Sequence, residues 1–243
     1  MIGTQNQCVG VTNALNLDPE IIKIGLNQPW KTLTPWFGFE KSFTFNPRLK
    51  VPYPDLLITS GRKAIAAARY IKKQSKGRTF SVFIQNPKIN SSHFDLVAAP
   101  YHDNIQGGNI FVTDGAPNII TPALLAEAKT HFNPLFQNLT VPKIAVLIGG
   151  NSKTHTLTRD KTVSIAQKLS KLDAGLMITT SRRTGDENTA ILKNTLNGDN
   201  VYFYDGNGEN PYMGMLAHAD IIIATNDSVS MLSDAGTTGK PVY

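Results

Sequence analysis

The chain has 243 residues, 41% apolar and 17% charged, which is ordinary for a soluble globular protein and enough for two modest α/β domains. Its single cysteine, Cys8, excludes an internal disulfide and any cysteine-rich metal site, and no run of about twenty apolar residues could span a bilayer. All of the net charge of +6 lies in residues 1–141, which hold 14 Lys/Arg against 8 Asp/Glu, while residues 142–243 hold 10 against 10.

Taken in chain order, residues 29–45, "PWKTLTPWFGFEKSFTF", are rich in Trp and Phe. They read as a loop packed on the core, or as a lid or membrane-touching surface. Residues 55–61, "DLLITSG", read as a buried parallel strand running into a turn, and 62–73 then have helical periodicity with Ser60 placed to cap the helix. Strands follow at 79–87, 94–100 and 109–118. A helix at 121–132 opens with Thr121 as cap and Pro122 at the first position, where proline is tolerated. Residues 131–142 contain two prolines and no clear period, and read as an interdomain linker.

A second series begins with "KIAVLIGG" at 143–150, a strand ending in paired glycines. An amphipathic helix at 160–172, a strand at 175–181 and a helix at 184–196 come next, with Thr184 and Glu187 in capping-box spacing. Residues 201–205 read as a strand, 211–219 as a helix and 220–225 as a strand. Asn226, Asp227 or Ser228 then caps a helix to about Ala235, and "KPVY" starts a further strand. This alternation predicts an α/β protein of two Rossmann-like, doubly wound domains, at 1–135 and 142–243, facing across a cleft.

Ligands of such sheets bind beyond the carboxyl ends of the strands, so the polar turns there are the candidate site. Gly149 and Gly150, with Asn151, would let a ligand approach closely and leave amides open to an anion. The loop 148–153 is neither a GxGxxG nor a Walker motif. Thr225, Asn226, Asp227 and Ser228 stand where a helix N-terminus favours negative charge, and more polar residues gather there than capping requires. Ser181 precedes two arginines, of which Arg182 or Arg183 could clamp a phosphate. In the first half, Asp114 and the His102-Asp103 pair are the candidate general bases, though a lone histidine near a turn is more often structural. Five scattered histidines with no i, i+4 pair offer no metal site. The basic first half suits an acidic partner or simply a solvated face, and no signature points to nucleic acid. Without a secretory signal the expected location is cytoplasmic, and the sequons at Asn90, Asn138 and Asn226 read as chance.

Five ordered segments, "QNQCVGVTNAL", "DLLITSGRKAIAAARYIKK", "QNPKINSSHFDLVAAPYHD", "FVTDGAPNIIT" and "TNDSVSMLSDAGTTGKPVY", resemble the mitochondrial-fission Elm family of plants and many proteobacteria. That family is similar to GT-B glycosyltransferases, which have two Rossmann-like domains and a nucleotide-sugar site. Bacterial members are often labelled nucleoside-diphosphate-sugar epimerases, but neither the NAD fingerprint nor the Tyr-x-x-x-Lys pair of that chemistry is present. The resemblance implies that Asp234, five residues before the glycine of Gly239-Lys240-Pro241, takes the place of the usual glutamate that holds the donor ribose. It also implies that family members start with an apolar strand, of which Met1-Ile2 is the remnant, and continue well past "KPVY", so both ends are expected to be missing.

Two functions are thereby expected. One is metal-independent transfer from a nucleotide sugar, a substrate rather than a resident cofactor, to an acidic or membrane-bound acceptor. The glycine loop and the helix at Ser228 would stabilise the diphosphate, and Asp114 or His102 would act as base. The other is a non-catalytic scaffold that recruits a dynamin-related partner at a membrane through peripheral contact.

Overall fold

The computed structural model describes residues 2–152 and 155–243. Met1 of the expected strand remnant and Lys153 of the 148–153 loop lie outside the described residues. The chain divides into two compact units, Met1–Ile119 and Ile120–Tyr243.

The first unit starts with α1 (Ile2–Ala14), the two-residue β1 (Gly25–Leu26), the single turn α2 (Trp30–Leu33) and β2 (Phe45–Asn46), which pairs antiparallel with β1. Then come β3 (Leu56–Ser60), α3 (Arg62–Gln74), β4 (Phe80–Ile84), β5 (Leu96–Pro100) and β6 (Ile110–Thr113). These four strands form a parallel sheet in chain order. Helix α3 is Ala- and Ile-rich and ends in Lys72 and Lys73, which suit the negative end of its dipole. It buries Ile65 and Ala68 against Phe83, Phe94 and Val97, and Ala67, Tyr70 and Ile71 against Trp30 and Phe45.

Helix α1 replaces the strand remnant and turn expected at the start of the chain. Its buried side chains are the polar Gln7 and Thr12, so it has no apolar stripe by which it could be read from sequence. Gly10 is required there because a Cβ would fall on the backbone of Asn118. Burial pushes the Cys8 thiol up to about 11, which leaves it unreactive near neutrality. Ser60 does not cap α3: the N-cap is Gly61, at φ 88°, and the Ser60 hydroxyl instead donates to Gln7 at 3.4 Å.

The second unit contains α4 (Pro122–His131), α5 (Asn133–Phe136), β7 (Lys143–Ile148), α6 (Arg159–Leu169), β8 (Gly175–Thr180), α7 (Asp186–Thr195), β9 (Val201–Tyr204), α8 (Tyr212–His218), β10 (Ile221–Ala224) and α9 (Val229–Thr237). The sheet is parallel in the order β10-β7-β8-β9, and Val242 extends it with a parallel bridge to Ile222. Because side chains alternate along a strand, β7 feeds two cores. Ala145 and Leu147 meet Phe132, Phe136, Met215 and Leu216 on one face. Ile144, Val146 and Ile148 meet Ala166, Leu169 and Leu192 on the other.

Residues 131–142 are therefore not the free linker that their prolines suggested. Thr121 caps α4 through the Leu124 amide at 3.1 Å, and α4 and α5 carry Phe132 and Phe136 into the core of this unit. Gly214 of α8 makes room, since a Cβ would strike the Phe132 ring. The division accordingly falls before α4, at 119/120. Phe136→Ala is expected to destabilise the chain by about 3–5 kcal/mol. Urea unfolding measures this, whereas a linker residue would change the midpoint little.

Candidate functional site

From β7 the chain moves outward through β8 to β9, then returns to place β10 on the other side of β7. A reversal of this kind opens a crevice beyond the carboxyl ends of the two strands. Here the backbone amides at the end of β7 are met by the protein's own side chains. The Thr225 hydroxyl accepts a hydrogen bond from the Gly149 amide at 2.7 Å and donates to Asp227 Oδ1 at 2.7 Å. Asp227 Oδ2 accepts from the Gly150 amide at 3.0 Å and lies 2.8 Å from Arg183 Nη2. The Asp227 side chain is only 5% exposed. A Cβ on Gly149 would fall on this carboxylate, and one on Gly150 would fall on the backbone of Arg183.

This corrects the expectation for the glycine pair. The glycines do permit close approach, but the Gly149 amide meets the Thr225 hydroxyl, and the anion that the Gly150 amide meets is Asp227. A second layer braces the first. The Ser181 amide donates to Ile148 O at 2.8 Å, and the Ser181 hydroxyl accepts from the Arg183 amide at 3.1 Å. The Asn151 amide donates to Arg183 O at 3.1 Å, while Asn151 Oδ1 accepts from the Leu157 amide at 2.9 Å. Thr184 does not form a capping box. Its buried hydroxyl donates to Gly149 O, and α7 starts from Gly185 at φ 78° instead.

The structure thus brings together Gly149, Gly150, Asn151, Ser181, Thr225 and Asp227. Asn226 and Arg182 stay exposed outside this network. Ser228 is the N-cap of α9 but makes no side-chain capping bond, while Thr225 and Asp227 bond to the glycines after β7. Further along α9, half-buried Asp234 accepts a 3.0 Å hydrogen bond from the Tyr212 hydroxyl at the start of α8. Burial pushes the Asp234 carboxyl up to about 6, opposed by the Tyr212 bond. Burial, and then the Asp234 charge, raise the Tyr212 phenol, which keeps it a donor. Lys240 is engaged with the end of α8, donating to Leu216 O at 2.6 Å and Ala217 O at 2.8 Å.

In the first unit, His102 lies in the short turn Tyr101–Asp103 after β5, and Asp114 directly follows β6. Pro100 and Thr113 are register partners, so both candidates sit at adjacent strand ends, and both are exposed. Asp103 has a structural task, accepting from the Asn86 amide at 3.2 Å. One polar centre went unread residue by residue. Gln7 is 3% exposed, and its Oε1 accepts from Gln85 Nε2 at 2.9 Å and from the Ser60 hydroxyl. Gln85 holds φ 84°, rare for a residue with a side chain. The glutamines of "QNQ" and "QNP" were the available signal.

A family model described as "Mitochondrial fission ELM1" matches residues 2–243. The chain belongs to this family. Among curated relatives, protein RP120 of Rickettsia prowazekii is 31% identical over 80% of this chain, and the mitochondrial fission protein ELM1 of Arabidopsis thaliana is 26% identical over 99% of it. The chain spans 65% of the length of the first and 75% of the second. Among solved structures it is similar to the UDP-GlcNAc 2-epimerase of Neisseria meningitidis bound to UDP-GlcNAc, with a TM-score of 0.52 at 18% identity. That match covers 78% of this chain and 58% of the epimerase. It is also similar to the Methanocaldococcus jannaschii UDP-GlcNAc 2-epimerase, with a TM-score of 0.50 at 16% identity, covering 78% and 60%. The ELM1-family chain thus has an α/β fold of two parallel, Rossmann-like sheets with GT-B-like epimerases as structural neighbours.

Two outcomes follow from the geometry. Gly149→Ala is expected to cost about 3 kcal/mol by expelling Asp227. In the Asp227→Ala background the same change should cost at least about 1 kcal/mol less, a coupling that a double-mutant cycle in urea reads directly. For Asp234, the folded chain retains a proton at pH values between the ordinary 3.8 and about 6, where the unfolded chain has lost it. Stability therefore falls as pH rises through this window, and the loss is complete above it. Asp234→Asn should stabilise the chain by about 2–3 kcal/mol near pH ~8 and by little near pH ~4.

Proposed function

We propose that this ELM1-family chain binds a nucleoside-diphosphate sugar at the carboxyl end of its second sheet and transfers the sugar to an acceptor hydroxyl. The observation that carries this reading is the start of α9, a nine-residue helix with no side-chain cap, with Asp234 farther along the same helix. The positive end of a helix dipole suits a diphosphate. The Asp234 carboxylate can accept both hydroxyls of a ribose, displacing or sharing the Tyr212 bond. UDP-sugar and UDP complexes among the structural neighbours favour a uridine nucleotide as the first probe.

In this reading the glycine pair has an indirect task. Asp227, held by the Gly150 amide, the Thr225 hydroxyl and Arg183, fixes the loop from which α9 departs. With Arg183 committed to Asp227, Arg182 is the guanidinium of that pair left for a phosphate, and Asn226 and Ser228 are the exposed and half-exposed polar groups between β10 and α9. Asp114 or His102 would remove the proton from the acceptor hydroxyl. The excess positive charge of residues 1–141 suits an acidic or membrane-bound acceptor.

A second reading is favoured by one observation: the Thr225 hydroxyl and the Asp227 carboxylate occupy the glycine amides at the strand reversal, as expected of a fold that has given up diphosphate chemistry. The chain would then be a scaffold of the kind that the Arabidopsis relative's name suggests, recruiting a dynamin-related partner. Thermal unfolding with UDP separates the two. A ligand at a hundredfold excess over its Kd stabilises the folded chain by about 2.7 kcal/mol. The enzyme reading expects a shift with UDP or another nucleoside diphosphate and its loss in Asp234→Ala. No shift with any such nucleotide, on a chain that unfolds cooperatively, overturns it.

A further inference from the structure

We propose that the aromatic segment around α2 is a docking surface for an anionic lipid bilayer. The inference does not depend on the strand-end site. Trp36 is 74% exposed and Phe39 73%, and Leu33, Phe43 and Val51 are exposed with them. Single exposed apolar residues are ordinary, but Phe39 and Phe43 belong to one array of ring contacts, and Trp36 lies in the same segment. Buried Trp30 contacts Phe43 at 5.5 Å and Phe37 at 5.9 Å between ring centroids, and Phe37 in turn contacts Phe39 at 5.4 Å. Trp36 extends the turn of α2, donating its amide to Leu33 O at 3.1 Å.

The array is held in place from below. Arg69 of α3 forms an ion pair with Glu40, both side chains nearly buried, and donates to Phe37 O at 2.8 Å. Such bracing fixes the backbone on both sides of Phe39, so the rings are presented outward at low entropic cost rather than swinging free.

Charge decides what the surface meets. Between residues 31 and 63 the exposed cations are Lys31, Lys41, Arg48, Lys50, Arg62 and Lys63, and the one exposed acid is Asp55. Glu40 is spent on Arg69. Arg62 lies against α2, donating to Lys31 O at 3.0 Å. Exposed apolar and indole side chains in a segment rich in exposed Lys and Arg match the interface of an anionic bilayer, where the rings enter the headgroup boundary and the cations meet phosphates. A protein groove would account for the rings, and a nucleic acid for the cations. The combination favours lipid.

The test is co-sedimentation of the full chain with vesicles of phosphatidylcholine and phosphatidylglycerol in equal parts, beside vesicles of phosphatidylcholine alone. Binding is expected to the anionic vesicles and to weaken as salt shortens the screening length from about 10 Å toward about 3 Å. Trp36→Ala/Phe39→Ala should lower the apparent affinity roughly tenfold or more, with an unchanged unfolding midpoint as the folding control. Lys31→Glu/Lys41→Glu should do so without touching the rings. The chain has two tryptophans, and Trp30 is buried, so quenching of fluorescence by brominated lipid reports on Trp36. Absence of wild-type binding to anionic vesicles overturns the proposal. So does binding that the Trp36/Phe39 variant retains in full, and binding to a protein or RNA in place of vesicles would reassign the surface.

Discussion

The second unit depends on a carboxylate held against two glycines. Asp227 accepts from Gly150 and from the Thr225 hydroxyl, which itself accepts from Gly149, and its charge is met by Arg183. The two strands that flank the reversal of the sheet, β7 and β10, are thereby tied at their carboxyl ends, and β8 joins through Ser181, Arg183 and Thr184. A nearly buried carboxylate is costly unless every charge and lone pair is met, and here two hydrogen bonds and an ion pair meet it. Neither glycine can be replaced freely: a Cβ on Gly149 would displace this carboxylate, and one on Gly150 would strike the backbone of Arg183.

On the proposed reading, that arrangement shifts the ligand's anion along the chain. In an open α/β sheet the strand reversal is where a ligand's anion would be expected, and this chain satisfies its backbone amides there internally. What the same loop delivers is the start of α9, uncapped by Ser228, and farther along it a carboxyl whose protonation is poised by burial near 6. A structural carboxylate at Asp227 and a tunable one at Asp234 are set apart by environment. The first is matched by donors and a cation. The second is desolvated with one phenol for a partner, which is the pattern that marks functional groups more often than structural ones.

Much of the fold was legible because fully buried parallel strands are continuous apolar runs and their helices carry one apolar stripe. Residues 143–148, 175–180 and 221–224 are of this kind. Two of the misreadings share a cause: side-chain bonds that reach segments distant along the chain. Ser60 and Thr184 sit in capping position, but their hydroxyls go to Gln7 and to Gly149 O. Helix α1 was missed because it buries Gln7 and Thr12 in place of an apolar stripe, and 131–142 because its prolines mark turns between packed segments that carry Phe132 and Phe136. At the site, sequence could locate glycine amides and polar side chains at neighbouring strand ends. It could not show that they face each other, so Asp227 passed for a ligand contact when it is the anion.

Amide hydrogen exchange at Gly149 and Gly150 tests this most directly. If Thr225 and Asp227 hold these amides, both are strongly protected in the nucleotide-free chain, Asp227→Ala releases Gly150, and UDP changes neither in the wild type. Rapid exchange in the free chain, slowed on addition of UDP, would show that the pair is an open phosphate cradle and that the internal carboxylate does not occupy it.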